Sequence, residues 1–298
     1  MTAHPLGNGG RLAAIHGWLL LLPAAVLLAA FTHYPAVATF WHSLFTTPRG
    51  NRPARFIGAD HYRDLLADPI FWTALQNNLV FAAGTILPSI ALAMAMALWV
   101  NARIAGRGLL RLAYFTPTVL PMIAVANIWL FFYTPDYGLF DQLRGLFGLP
   151  AVNWLGSGDT ALGAVIVVTV WKEAGFFMIF YLAALQQIPP ELGEAAQLEG
   201  ASRWQRFWRV TFPLLMPTTL FVLINATINA FRLVDHLFVL TRGGPDNATS
   251  LLLYYIYEVG FKFWDQSYAA ALTMVLLSLL ATVALLKFFW LERKVHYQ

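Results

Sequence analysis

Residues 160–187 read TALGAVIVVTVWKEAGFFMIFYLAALQQ, a run whose only formal charges are Lys172 and Glu173. Inside a bilayer every backbone N–H and C=O must be satisfied within the helix, and crossing about 30 Å of hydrocarbon takes about 20 apolar residues. This run meets that length. So do five others, at roughly 13–43, 71–101, 109–133, 211–233 and 266–288. The expected fold is all-α and integral to a membrane, six transmembrane helices in a single domain over 1–298. Pro23, Pro88, Pro117 and Pro121 fall inside these runs, where proline marks a kink that neighbouring helices tolerate. A simple bend accounts for them without a gating role.

Composition points the same way. Of the 298 residues 59% are hydrophobic and only 11% charged, against about 25% charged in an average soluble domain. A soluble fold of this size could not cover such a surface. Cysteine is absent, which excludes disulfide staples, thiolate metal sites and thiol nucleophiles. Eleven tryptophans, eleven tyrosines and 23 phenylalanines suit helix ends that meet lipid headgroups. No stretch has the composition of a separate soluble domain, a low-complexity linker or a tandem repeat. Arg11 ahead of the apolar run from Ile15 has the look of a signal peptide. However, no charge appears between Leu12 and Pro48, which is longer than a signal h-region, so an uncleaved first span is expected.

Orientation follows from Lys and Arg near the span ends. With a cytoplasmic N-terminus, the inside collects Arg11, Arg103, Arg107, Arg111, Arg203, Arg206, Arg209, Lys287, Arg293 and Lys294. The outside then has Arg49, Arg52, Arg55, Arg63, Arg144, Arg242 and Lys262. Asp60, Asp64 and Asp68 offset the arginines of the first outer loop. The short second and fourth loops, where the rule works best, are both basic. Both termini are therefore expected in the cytoplasm.

Between the fourth and fifth spans, residues 188–210 carry the densest set of local signals. Pro190 suits a first helical position, and Glu191 and Glu194 complement the positive end of the helix dipole. Gly200 can take the left-handed conformation that closes a helix. Ser202 with Gln205 forms a capping box for a second short helix, and Arg203, Arg206 and Arg209 fall on one side of it. A compact, polar, well-capped elbow suits docking of a cytoplasmic partner, and equally suits an interfacial position with its arginines on anionic headgroups.

The same stretch resembles the EAA loop of ABC importer permeases: Glu-Ala-Ala, three residues, Gly, nine residues, then Ile-x-Leu-Pro. Here the residues are Glu194-Ala195-Ala196, Gly200, Val210, Phe212 and Pro213, with valine and phenylalanine in place of isoleucine and leucine. Phe56-Ile57-Gly58, Tyr62, Leu65 and Phe71-Trp72-Thr73-Ala74-Leu75-Gln76-Asn77 are similar to the start of the carbohydrate-type permeases. Gly243-Gly244-Pro245, Thr249, Tyr254, Tyr257 and Gly260-Phe261 are similar to their last outer loop. The ending Glu292-Arg293-Lys294-Val295-His296-Tyr297-Gln298 resembles permease subunits for glycerol-3-phosphate.

The resemblance implies that the elbow is a coupling helix seated in a groove of an ATPase subunit, with Glu194, Ala195, Ala196, Gly200, Arg203 and Arg206 at that contact. It also implies three partners: a dimer of ATPase subunits, a second homologous permease and an extracytoplasmic solute-binding protein. The setting would be a bacterial inner membrane and the cargo a sugar, polyol or sugar phosphate. ATP and Mg would belong to the ATPase, because no Gly-x-x-x-x-Gly-Lys-Ser/Thr loop is present here to cradle phosphates. This chain would itself hold no cofactor and no metal, perform no catalysis, and contact lipid but no nucleic acid.

Ionisable groups deep in a span are costly and mark functional candidates. Lys172 and Glu173 lie about eleven residues from the outer end of their span, roughly 17 Å deep. They either line the pathway or hold two permeases together. Asn225, Asn229, Arg232 and Asp235 are spaced to share one helix face. Arg232 and Asp235 can equally form an i,i+3 ion pair, and the two asparagines can equally bond between helices. Trp171 either stacks on a sugar ring or packs. Lys172 with Arg232 would suit a phosphate. Asn247-Ala248-Thr249 matches a short acceptor pattern common by chance, and the histidines, including His33 and His42, lack metal-ligand spacing. A self-sufficient secondary transporter needs none of these partners, and an intramembrane enzyme needs a catalytic constellation, which is not found.

Overall fold

The computed structural model describes residues 8–102 and 106–292, with side chains over 16–102 and 106–286. Arg103, the side chains of Arg11, Lys287 and Glu292, and the ending motif from Arg293, with Lys294, lie outside the described residues. The helices in chain order are α1 (Asn8–Leu28), α2 (Tyr34–His42), α3 (Asp60–Ala67), α4 (Pro69–Asn101), α5 (Arg107–Val119), α6 (Met122–Phe132), α7 (Leu139–Leu146), α8 (Gly158–Gln187), α9 (Pro190–Leu198), α10 (Arg203–Arg206), α11 (Phe212–Arg232), α12 (Asp235–Leu240), α13 (Leu252–Tyr257) and α14 (Gln266–Glu292). Single π-helical segments at Ala29–His33 and Phe207–Thr211 join α1 to α2 and α10 to α11, and a third, Glu258–Lys262, follows α13. Among the described residues there are isolated β-bridges but no strand.

Among the described residues five helical stretches are long and apolar enough to cross a bilayer, and α5 with α6, bent by 104° at the break, counts as a sixth when the pair is taken as one span. The third run is thus not one straight span. Pro117 and Pro121 flank the break, and Pro121 sits at the N-cap of α6 with φ −57° and ψ 143°, outside the helical region. Proline lacks the N–H that would continue the ladder and disfavours helical geometry in the residue before it. Pro88, by contrast, lies inside an uninterrupted α4.

The chain forms two compact units. One comprises Leu66–Glu258 with Leu276–Gln298. Its core joins α4, α8 and α11 through Ala93, Met96, Ala97, Ala174, Phe177, Met178, Tyr181, Leu215 and Val222, all buried. Lipid tails are as apolar as leucine, so helix association here depends on close backbone approach and on polar bonds between helices. Both are present. Gly175 of α8 lies so close to α5 that an added Cβ would collide with the Tyr114 carbonyl oxygen. Asn78 in the third turn of α4 donates to the Ala230 carbonyl of α11 at 3.2 Å and accepts from the Leu252 N–H at 3.2 Å. Asn77 beside it donates to the carbonyls of Asn247 and Ser250. His236 of α12 is fully buried, bonded to the Thr169 hydroxyl at 3.3 Å and stacked on Phe81.

The loop between α6 and α8 is organised by one carboxylate. Asp141 accepts from the N–H of Asp136 at 3.0 Å, the N–H of Val152 at 3.2 Å and the Trp154 indole at 3.1 Å. Desolvation acts to raise its pKa. The three donors and the neighbouring Arg144 charge outweigh that and hold the carboxyl below its ordinary 3.8. The other unit, Met1–Leu65 with Val259–Val275, contains the first span, a short hairpin-like turn over 44–57 and the start of α14.

Two outcomes follow. Gly175→Ala should destabilise the fold by about 1–3 kcal/mol through overpacking against α5, read as a lowered unfolding midpoint in detergent. A depressed folded pKa means stability that is complete above the unfolded value and lost as pH falls through the folded one. Hydrogen-exchange protection over 136–152, corrected for intrinsic rate, should therefore hold steady above pH 3.8 and fall below it. In Asp141→Asn it should be reduced at every pH.

Candidate functional site

The polar groups of the membrane interior gather on α8 and on the segments packed against it. Where α5 stops at Val119, its last carbonyls lose their helical partners, and in hydrocarbon each unsatisfied group costs several kcal/mol. Lys172 answers that need. Its ammonium donates to the Pro117 carbonyl at 2.9 Å and the Leu120 carbonyl at 2.6 Å, with Thr118 at 3.5 Å. An ammonium has three donors, and a helix C-terminus carries partial negative charge, so donor count and sign both match. Gly175, three residues on and on the same face of α8, lets α5 approach closely enough for this reach.

Glu173 turns the other way, toward α11. It accepts from the Asn229 amide at 2.6 Å and borders a void of about 10 Å³ with Thr85, Ser89, Thr169 and Asn229, a volume sufficient for one water. The buried Ser89 hydroxyl has no hydrogen-bond partner among the described residues. Asn225 donates to the Phe221 carbonyl of its own helix at 2.8 Å. Trp171 is 38% exposed and meets Trp129 edge to face at 5.5 Å. The structure therefore joins Asn229 to Glu173, places Lys172 at the helix break, leaves Asn225 bonded within its own helix, and sets the exposed Arg232 where its charge acts on Glu173 without an ion pair among the described residues. The face drawn through Asn225, Asn229 and Arg232 does not continue to Asp235. Leu233 adopts an extended conformation, α11 ends, and Asp235 opens a separate helix. Among the described residues no ion pair joins Arg232 to Asp235.

The elbow is built as a self-contained turn. Pro190 is the first residue of α9. At its far end Gly200 has φ +81°, its N–H bonds the Gln197 carbonyl and the Ala201 N–H bonds the Ala196 carbonyl, both at 3.0 Å. These two bonds make a Schellman closure. Ser202 and Gln205 form the reciprocal capping box at 3.2 and 2.9 Å. Arg206 reaches back to the Gln197 side chain at 3.5 Å. Glu194, Ala195, Arg203 and Trp204 are exposed, and Leu198 is 91% exposed. No group of three His, Cys, Asp or Glu comes together for a metal among the described residues.

Long apolar helices, a broken third segment and a capped elbow define a multi-pass helical membrane protein. The chain belongs to the family described as binding-protein-dependent transport system inner membrane component, which matches residues 63–297. It is thus a permease subunit of an ABC importer, as the resemblance in its sequence led us to expect. It is 36% identical over 247 residues to the trehalose/maltose transport system permease protein MalF of Thermococcus litoralis, covering 82% of this chain and 84% of that protein. It is 33% identical over 275 residues to the sulfoquinovosyl glycerol transport system permease protein SmoG of Agrobacterium fabrum, covering 92% and 88%. A crystal structure of a bacterial ABC transporter involved in importing the acidic polysaccharide alginate superposes with a TM-score of 0.84 at 25% identity, covering 96% of this chain and all of that one.

Sequence reasoning singled out Lys172 by its depth, but not its acceptors, which come from a different span. Asn77, Asn78 and His236 were missed as organising residues. A pair of adjacent amides at the head of an apolar helix was the available signal. With Lys172 as the cap at the break, Lys172→Met should cost about 2 kcal/mol, because it leaves carbonyls at the end of α5 without their donor in hydrocarbon. Thermal unfolding of the purified variant checks this. Loss of transport at unchanged stability would instead mark Lys172 as a solute contact.

Proposed function

We propose that this chain is one of two homologous permeases enclosing a path for a sugar, polyol or sugar phosphate such as glycerol-3-phosphate, and that the elbow at 188–210 links that path to a separate ATPase dimer. The observation that carries the reading is the elbow itself. Its backbone ends are closed internally by the Gly200 turn and the Ser202 capping box, while Leu198 and Trp204 stand 91% and 70% exposed. A rigid turn that displays apolar side chains among charged ones has the anatomy of a protein-docking surface. Glu194, Ala195, Ala196, Gly200, Arg203 and Arg206 form that contact in our reading.

ATP and Mg are bound and turned over by the partner, and the solute arrives on an extracytoplasmic binding protein. We place both termini in the cytoplasm of a bacterial cell, with the chain in its inner membrane. Among the membrane groups, Trp171, Asn225 and Arg232 keep accessible surface and are the residues we assign to solute contact. Asn229 and Lys172 position the helices that carry them. The relatives named for trehalose/maltose and sulfoquinovosyl glycerol support a carbohydrate-containing cargo.

The test combines assembly with transport. The tagged chain, extracted from its host in mild detergent, should bring down a Walker-motif ATPase and a second permease. Glu194→Lys and Gly200→Trp should each reduce ATP-dependent uptake to background, with the amount of chain in the membrane unchanged. Normal uptake in both variants removes the elbow from the coupling path. Transport by the chain alone without ATP replaces the whole reading with a secondary transporter.

A further inference from the structure

The unit formed by Met1–Leu65 with Val259–Val275 contains a concave site that neither the elbow nor the α8–α11 groups use. Cross-chain bonds fold residues 44–57 into a hairpin: Ile57 N–H to the Leu44 carbonyl, Thr46 N–H to the Arg55 carbonyl, and Arg49 with Arg52 bonding each other at the tip. Beneath the tip lies a pocket of about 340 Å³ lined by Thr46, Thr47, Arg49, Arg52, His61 and Asp265, a volume at the small end of ligand sites.

The donors in this pocket outnumber the acceptors. Asp265 is the sole carboxylate in the lining and is already engaged. One of its oxygens accepts from the Thr47 hydroxyl at 2.7 Å and the Tyr268 N–H at 3.2 Å, and the other from Arg49 at 3.3 Å. The Arg49 side chain remains 69% exposed despite that bond, so most of its fork faces outward. Arg52 joins no ion pair among the described residues. The Thr46 oxygen accepts from the Arg55 N–H at 3.0 Å, which leaves its O–H proton to donate. His61 is occupied by the Phe45 carbonyl at 3.0 Å. Two arginine forks and a hydroxyl call for an anion with several oxygens, and a phosphate satisfies that geometry better than a single carboxylate.

Position within the unit says which phosphate. Thr46 follows His42, the last residue of α2, by four residues, and the intervening turn keeps it close through bonds from Leu44 N–H and Phe45 N–H to the Trp41 and His42 carbonyls. Asp265 directly precedes Gln266, the first residue of α14. The pocket is thus tied to the ends of two spans, at the depth where headgroups flank the hydrocarbon. Trp41, Phe56, Phe263 and Trp264 of the same unit are 59–68% exposed, the aromatic composition of a membrane interface. We propose that this pocket binds the phosphate of a membrane phospholipid, with Arg49 and Arg52 as the clamp. The site is independent of the transport reading and rests only on the spans.

Full-length chain, delipidated in detergent, would be titrated with dioleoyl phosphatidylglycerol and followed by native mass spectrometry. Parallel titrations would use dioleoylglycerol, which lacks the phosphate, and inorganic phosphate. Phosphatidylglycerol should be retained and dioleoylglycerol should not. Arg52→Gln should weaken retention about tenfold, the loss expected for one charge-assisted contact, whereas Arg55→Gln, outside the pocket, should leave it unchanged. Among the described residues Arg52 bonds its neighbours through its backbone and not its side chain, so this variant spares the fold. Displacement of the lipid by millimolar inorganic phosphate, with the same dependence on Arg52, overturns the lipid in favour of a soluble phosphate. Equal retention of dioleoylglycerol, or unchanged binding in Arg52→Gln and in the Arg49→Gln/Arg52→Gln double variant, overturns the site.

Discussion

An ammonium group on the orphaned carbonyls of a broken helix is the contact from which the membrane architecture is best understood. A straight third span would need no such partner, and a broken one without it would leave several acceptors unsatisfied in hydrocarbon. Lys172 resolves this from α8, and Gly175 makes the reach possible by bringing the two backbones together. The cost of partly burying a charge is then offset by three acceptors and the dipole of α5. The large bend between α5 and α6 therefore belongs to the packing of α8 as much as to its prolines.

The same economy governs the rest of the larger unit. Apolar surface gives little drive for helices to associate in lipid, so specific polar stitches carry the topology. Asn78 links α4 to α11 and to the start of α13, Asn229 links α11 to α8, and His236 links α12 to α8. Each is a single side chain that satisfies a group on another helix. Outside the membrane interior, Asp141 plays the corresponding part for a loop, gathering three donors onto one carboxylate.

What could be read in the sequence was local. The apolar runs, Pro190 at a first helical position, the left-handed Gly200 and the Ser202–Gln205 box all follow from rules that act over three or four residues, and the helices begin and end accordingly. The long-range pairs obey no such rule. Lys172 meets carbonyls 52 to 55 residues away and Asn229 meets Glu173 across 56 residues, distances over which spacing says nothing about contact. The end of α11 at Arg232 carries no proline or glycine to announce it. Leu233 simply turns extended, which is why a face drawn on helical spacing ran on to Asp235.

The bend also bears on how the helices depend on one another. With 13 residues in α5 and 11 in α6, the two pieces are about 20 and 17 Å long, and neither alone spans the hydrocarbon. The carbonyls at the break are met by Lys172, 52 to 55 residues further along the chain, so the broken pair is satisfied only in company with α8. One side chain thus ties the integrity of two successive membrane segments together.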